Sequence, residues 1–217
     1  MLPPALILEA YRQGFFPMAQ DAHGPKIHWV RPEKRGQLSI PALHIPRSLK
    51  KIVLQGGPYR VTVNTAFERV IDSCAAARPE RPETWINPAI RNGFIALHVQ
   101  GLAHCVECWR GDDLVGGLYG LALGGAFFGE SMFSHAPNAS KIALVHLVAR
   151  LWVGGFTLLD TQFVNDHLQQ FGVYEIPDAV YLPLLQQALG QQGDFALDGR
   201  AEQEIVQTYM DFRKSNA

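Results

Sequence analysis

The chain has 217 residues, 47% of them hydrophobic, 18% charged and with a net charge of −1. That is enough apolar material for one substantial core with no need of a disulfide or metal staple. The three cysteines, an odd and small number, do not suggest a secreted disulfide scaffold, no apolar run reaches the length of a membrane span, and Glu9 interrupts the N-terminal apolar stretch; no signal peptide is expected, and the location expected is cytoplasmic.

Charge is divided unevenly. Residues 1–60 carry nine Lys and Arg against three Asp and Glu, whereas 61–217 carry ten against seventeen. A polyanion meeting the first part would account for this, and so would a solvated surface that is simply uneven.

In chain order, Pro3 to Arg12 reads as a short helix stopped by Gly14, Phe15-Phe16-Pro17 as an inward turn, and His23 to Pro32 as loop. Between Arg31 and Lys51 stand Arg31, Lys34, Arg35, Arg47, Lys50 and Lys51 against Glu33 alone. Prolines at 32, 41 and 46 break this stretch into extended pieces that are expected to project the bases outward, as a phosphate-contacting surface. Tyr59 to Asn64 alternates as a strand, and Thr65 is expected to cap a helix from Ala66 to Ala77. The charged loop Arg78 to Glu83 leads to Thr84-Trp85-Ile86, and a helix follows from Ala89 to His98. Ala103 to Arg110 and Leu114 to Leu123 form a strand meander, and Gly124-Gly125 turns the chain into a strand beginning at Ala126 and running out at Gly129-Glu130-Ser131. A buried helix from Lys141 to Val153 follows, with Asn138 and Ser140 as candidate caps, then a strand from Phe156 to Leu159 that stops at Asp160. Short elements at Asp166–Phe171 and Val173–Ile176 precede a helix from Pro177-Asp178, which Pro183 would kink, and an amphipathic segment from Glu202 to Phe212.

The strand–helix–strand order centred on Lys141–Val153 brings the two strands back roughly parallel, so their carboxyl ends share one sheet edge. Glu130-Ser131 and Asp160-Thr161-Gln162 are therefore expected to be neighbours, in the kind of cleft where open α/β sheets bind ligands. Asp160 acting only as a helix N-cap is the plainer alternative.

Cys105-Val-Glu-Cys108 is a single pair whose members point to opposite faces of a strand, which suits two buried thiols better than a metal site. Ser131, Asp160 and His167 have the residue types of a hydrolase triad, but Gly129-Glu-Ser131-Met-Phe133 lacks the second glycine of the nucleophile elbow. The glycines from 116 to 129 match neither nucleotide-loop pattern, and a coenzyme A phosphate loop is missing. Trp29, Trp85 and Trp109 are candidates for stacking on nucleic-acid bases, Trp85 foremost because it follows a charged loop.

Taken together, Tyr11-Arg-Gln-Gly14-Phe-Phe-Pro17, His44-Ile-Pro-Arg47-Ser-Leu-Lys50, Thr84-Trp85-Ile86, His104-Cys-Val-Glu107-Cys-Trp109, Gly129-Glu-Ser-Met-Phe-Ser134, Asn138-Ala-Ser-Lys141 and Asp160-Thr-Gln162 with Asn165-Asp-His167 cover nearly the whole chain. In these segments it resembles the leucyl/phenylalanyl-tRNA–protein transferase family. The resemblance implies an α/β (α+β) fold, with an acetyltransferase-like (GNAT-like) domain of mixed sheet over 41–217 and a short N-terminal subdomain over 1–40. It implies transfer of Leu or Phe, or also Met, from aminoacyl-tRNA to proteins that begin with Arg or Lys, which marks them for N-degron degradation. Neither metal nor cofactor is implied, and the chain is expected to be a monomer.

By the same resemblance Asp160 polarises or deprotonates the attacking amine, Gln162 assists at the carbonyl and Glu130 holds the cationic amine or acceptor side chain. A substrate-assisted route through the ribose hydroxyl is equally compatible. Leu118, Phe127 and Met132 would build the donor pocket, Trp85, Trp109, Ser131 and Asn165 would contact substrate, and the Arg31–Lys51 bases would meet the tRNA. Val30 stands where the family usually has a second Trp, and Asp178 where Arg is frequent. A small-molecule acetyltransferase and a noncatalytic tRNA-binding protein are the rival readings.

Overall fold

The computed structural model describes residues 2–22, 24–77 and 84–216; the charged loop at 78–83 thus lies outside the described residues. Helix α1 (Pro4–Arg12) leads into a two-stranded antiparallel ribbon, β1 (Phe16–Ala19) and β2 (Ile27–Val30), where an inward turn and a loop were expected. The local sequence there is too short and proline-broken to signal pairing. Val30 nevertheless lies opposite Phe16 and Trp29 opposite Pro17.

The body of the protein is a seven-stranded mixed sheet in the order β4-β5-β6-β7-β8-β3-β9. Its strands are β3 (Lys34–Leu38), β4 (Arg60–Val63), β5 (Ala103–Arg110), β6 (Asp113–Leu123), β7 (Ala126–Ser134), β8 (Leu158–Gln162) and β9 (Tyr174–Pro177). β3 lies on the N-terminal side of the expected boundary at residue 40, yet it is hydrogen-bonded between β8 and β9. The remaining helices are α2 (Arg47–Leu54), α3 (Phe67–Ala75), α4 (Pro88–Val99), α5 (Ala139–Val153), α6 (Asp166–Gln169), α7 (Asp178–Leu189) and α8 (Glu202–Ser215). Among the described residues no helix is long and apolar enough to cross a membrane.

Two cores sandwich the sheet. On one face α5, α2 and α8 cover Val106, Leu118, Phe127 and Leu159; on the other α1, α3, α4 and α7 cover Cys105, Tyr119, Phe128 and Phe133. Cys105 and Cys108 are both buried, one in each core, as strand alternation requires. α5 is apolar nearly all round because it is sandwiched between the sheet and α8. Of its buried polar side chains, His146 and Arg150 find their partner in Glu202 of α8. Gly116 allows this close docking, since a Cβ there would stand 2.4 Å from the Cβ of Ala139.

Thr65 does not cap α3. The Glu107 carboxylate of β5 instead anchors the turn that enters the helix, accepting the N–H of Thr65 (2.8 Å) and of Ala66 (2.9 Å). Asn87 and Asn165 do cap their helices, accepting from Ile90 and Leu168. Pro183 lies inside α7.

Candidate active site

The only parallel pairing among these strands joins β7 to β8 and lasts three residues, Ala126 to Phe128 against Leu158 to Asp160. Beyond it the two strands separate. β7 does not run out at Ser131 as expected; it continues to Ser134, paired only with β6 on that side. The gap between the diverging strands opens into a cavity of about 810 Å³.

Two irregularities shape its rim. In the β6–β7 ladder Tyr119 pairs with Ser131 and Gly120 with Gly129, which leaves Glu130 unpaired as a bulge. The extra residue changes the parity of the strand. Glu130 turns toward α1, and Met132 falls on the opposite face beside Leu118. In the β3–β8 ladder Gly36 pairs with Gln162 and Gln37 with Asp160, leaving Thr161 unpaired. A Cβ on Gly36 would lie 2.7 Å from Thr161 Oγ1 and 2.8 Å from the Phe163 carbonyl carbon, so only glycine accommodates this crossing. Gln162 itself sits at φ 59°, a left-handed conformation costly for a non-glycine residue and held by its surroundings.

Those surroundings form a continuous buried network. The Gln162 N–H donates to Asp160 Oδ1 (2.7 Å), and its side-chain amide donates to Glu130 Oε1 (2.9 Å). Tyr11 Oη, from α1, donates to the same Glu130 oxygen at 2.7 Å. Arg35 Nε reaches both Asp160 oxygens (3.0 and 2.9 Å), Arg35 Nη1 donates to the Gly14 carbonyl (2.7 Å), and Tyr181 Oη donates to Asp160 Oδ2 (2.6 Å). Arg35 and Asp160 are 1% and 0% exposed, and the guanidinium lies over the rings of Phe16 (4.8 Å) and Tyr181 (4.6 Å). Such a buried pair holds a conformation in place, and losing either partner would strand a charge.

Glu130 behaves differently. Its Oε2 is buried without a partner, and its pKa is raised to about 8. Burial is the largest cause; the Tyr11 hydrogen bond opposes it and the Asp160 charge adds to it. At neutral pH this carboxyl therefore keeps its proton, with Oε1 occupied as a double acceptor and Oε2 left for the proton.

The cavity wall is mainly apolar on the α5 side, formed by Leu38, Leu118, Met132, Leu144, Leu147 and Leu159, with Ser140 at the start of the helix as its polar member. Trp85, Ser131 and Asn165 also line it. Several expected site residues do not. Phe127 lies on the correct face but deeper, packed against Phe156 and Phe195. Trp109 sits away from the cavity, bonded through Nε1 to Thr62 and flanked by Arg60 and Arg69. Asp160 adjoins the cavity only through Gln162, and it caps no helix. Ser131, Asp160 and His167 make no triad, because Asp160 is committed to Arg35, Tyr181 and Gln162.

The largest correction concerns Arg35, expected on the outer basic surface and found buried against Asp160. Its neighbour Lys34, the first residue of the strand, does face solvent. Arg31 forms an ion pair with Asp178 (Nε to Oδ1 3.0 Å), while Arg47, Lys50 and Lys51 project from α2, whose Leu49 and Val53 are buried. Sequence reasoning missed Tyr11 and Tyr181. Tyr11 stood in one of the resemblance segments and on the apolar side of its helix, where a hydroxyl needs a partner; nothing local marked Tyr181.

A parallel crossover, a cleft between its diverging strands and a buried carboxyl–amide–ion-pair network beside an oily slot define an α/β enzyme built to hold an apolar group next to a proton-handling one. The family model for leucyl/phenylalanyl-tRNA protein transferase matches residues 37–186, and that for the N-terminal domain of the same proteins matches residues 1–33. Proteins called leucyl/phenylalanyl-tRNA–protein transferase are similar over most of their length. That of Rhodospirillum rubrum is 52% identical over 91% of this chain and 92% of its own, and that of Caulobacter vibrioides 54% over 87% of each. That of Paramagnetospirillum magneticum is 50% identical over 93% of this chain and 96% of its own. The chain belongs to the leucyl/phenylalanyl-tRNA–protein transferase family.

Proposed function

We propose that this aminoacyltransferase moves Leu or Phe from aminoacyl-tRNA to the N-terminal amine of a protein that begins with Arg or Lys. The observation that carries this reading is the fixing of Gln162 at both ends, on Asp160 and on Glu130, at the wall of an apolar cavity. The donor is already activated as an ester, so the enzyme must mainly position two groups and handle one proton. The donor side chain enters the slot of Leu118, Met132, Leu144 and Leu147. Gln162 then presents its amide beside the ester carbonyl.

The attacking amine must be neutral. An α-amine has a pKa of roughly 8, close to the value of about 8 that burial gives Glu130. Glu130 takes the ammonium proton only in its ionised form, a minority at neutral pH and about half near pH 8, and between groups of matched pKa that transfer costs little. The amine nitrogen bonds to the carbonyl carbon, the bond to the ribose oxygen breaks, and that oxygen takes up the proton the amine gives up. Asp160, with both oxygens engaged, acts as a positioning residue that sets Gln162 in its left-handed conformation.

The parallel β7–α5–β8 unit with strands that separate beyond it supports a GNAT-like acyltransferase domain in which the crevice takes an aminoacyl ester. Lys34, Arg47 and Lys51 are exposed and Lys50 is half-buried on the outer surface; they suit the tRNA backbone, a contact that depends on salt more than on base sequence. The protein would act as a monomer in the cytoplasm, without metal or coenzyme.

The test is incubation with tRNAs charged separately with different amino acids and peptides of differing first residue, read by mass spectrometry. A Leu or Phe residue mass added to peptides beginning with Arg or Lys is expected. No aminoacyl addition from any charged tRNA, or acylation from a coenzyme A thioester instead, would overturn the reading.

A further inference from the structure

The Asn138-Ala-Ser-Lys141 signature has no task in the scheme above, although its Ser140 lines the cavity. It opens α5, a helix of fifteen residues, with Asn138 at φ 63° and making no side-chain cap. The Ala139 N–H is bonded to the Ala136 carbonyl (3.2 Å), and the Ser140 N–H reaches only Ser134 Oγ, at 3.3 Å. The Lys141 N–H meets no acceptor among the described residues. The end of a long helix is thus left with donor capacity and partial positive charge.

An independent observation points to a ligand. Ser140 is 4% exposed and lines the cavity, yet its hydroxyl has no hydrogen-bond partner among the described residues. Beside it, His167 lines the same cavity with Nε2 buried and unpartnered. The Lys141 ammonium forms no ion pair among the described residues, and with burial it lowers the pKa of His167. Asp166 is the acid on this wall; its Oδ1 accepts a long bond from Gln169 Nε2 (3.4 Å). Unused donors, a free ammonium and a hydroxyl facing a cavity make a site for an anion.

We propose that this corner binds a phosphate of the donor tRNA's 3′-terminal nucleotides, with the Ser140 hydroxyl, the Lys141 N–H and the Lys141 ammonium as its ligands. The inference rests on the proposed function. An acyl group seated in the slot is covalently tied to the terminal nucleotide, so a phosphate necessarily lies within one nucleotide of it. An acceptor protein, by contrast, enters with its amine and brings no acid at a fixed distance. The cavity, at about 810 Å³, is of a size that takes a whole small ligand rather than a single side chain. The NASK sequence thereby gains a physical reason: a small residue at 139 for close docking, a hydroxyl at 140 and a cation at 141.

The test compares uncharged adenosine with the dinucleotide CpA, titrated by NMR into the wild-type protein, Lys141→Ala and Ser140→Ala. Wild type should bind CpA about tenfold more tightly than adenosine, the scale of one charge-assisted phosphate contact. Lys141→Ala should abolish that preference while leaving adenosine affinity unchanged, and Ser140→Ala should reduce it in part. Equal wild-type affinity for both probes, or equal weakening of both by Lys141→Ala, would overturn the proposal. So would an intact CpA preference in Lys141→Ala accompanied by a raised KM for acidic acceptor peptides, since the corner would then serve the acceptor. Because these probes carry no amino acid, a failure of transfer by the wild type is read separately.

Discussion

Glu107 and Glu130 are both buried glutamates, on strands separated by β6, and their surroundings give them opposite tasks. Glu107 accepts from Thr65 N, Ala66 N and Cys105 Sγ on one oxygen and from the hydroxyls of Thr62 and Thr65 on the other. It anchors the turn that leads into α3. Glu130 accepts Tyr11 and Gln162 on Oε1 alone, has nothing on Oε2 and lines a cavity. A fully satisfied carboxylate fixes structure; a half-satisfied one beside a cavity has capacity left for chemistry. Burial alone does not separate the two. The count of partners does.

The comparison can be broken at three places. The largest effect should come from Arg35→Met, which leaves the Asp160 charge buried with two neutral donors and should cost about 3–5 kcal/mol in urea unfolding. Transfer should be lost with it, and adding Asp160→Asn should recover part of the stability but not the rate. A small effect of Arg35→Met alone would mean that the network does not hold Gln162. Next, Glu107→Ala orphans the Thr65 and Ala66 N–H groups just ahead of α3, at about 1–3 kcal/mol. Its kcat, measured on folded protein, should be unchanged; a fall in kcat would end the structural assignment.

The third and subtlest test is Glu130→Gln, where the pH dependence carries the information. In the wild type the folded state holds this proton from the ordinary carboxyl value of 4.5 up to about 8, so more protons are bound folded than unfolded across that window. Stability should therefore fall as pH rises through it, by an amount on the order of a few kcal/mol. His104, lowered to about 4 mainly by burial, acts in the opposite sense between there and 6.5 and is present in both proteins. The difference between wild type and Glu130→Gln isolates the carboxyl: the variant should lack the fall above pH 6.5, keep near-wild-type stability at pH 5 and lose transfer. Parallel stability curves would show that Glu130 carries no proton at neutral pH.

Much of this molecule was legible in its sequence. Apolar spacing marked most helices and the β5–β7 meander, and the order strand, helix, strand required β7 and β8 to present Glu130 and Asp160 at one edge. Fifty per cent identity to named relatives agrees with the motifs that carried the family resemblance. Local pattern failed where pairing partners lie far away in the chain. Lys34 to Leu38 looked like part of a basic surface because nothing nearby shows that β8 and β9 flank it, and every residue of this strand after Lys34 is buried. Arg35 was thereby assigned to solvent when its charge is matched by Asp160.

Composition, periodicity and motif thus determined the fold class, the family and the two strand ends that meet, because these follow from short-range propensity and chain connectivity. Only the tertiary structure decided which way the critical side chains point. A single unpaired residue, Glu130 on β7 or Thr161 on β8, resets the parity of a strand, and a bulge is a property of two strands in register. Tertiary structure likewise set the proton on Glu130, since the cost of ionising a carboxyl depends on how much water and how many donors the whole fold leaves around it.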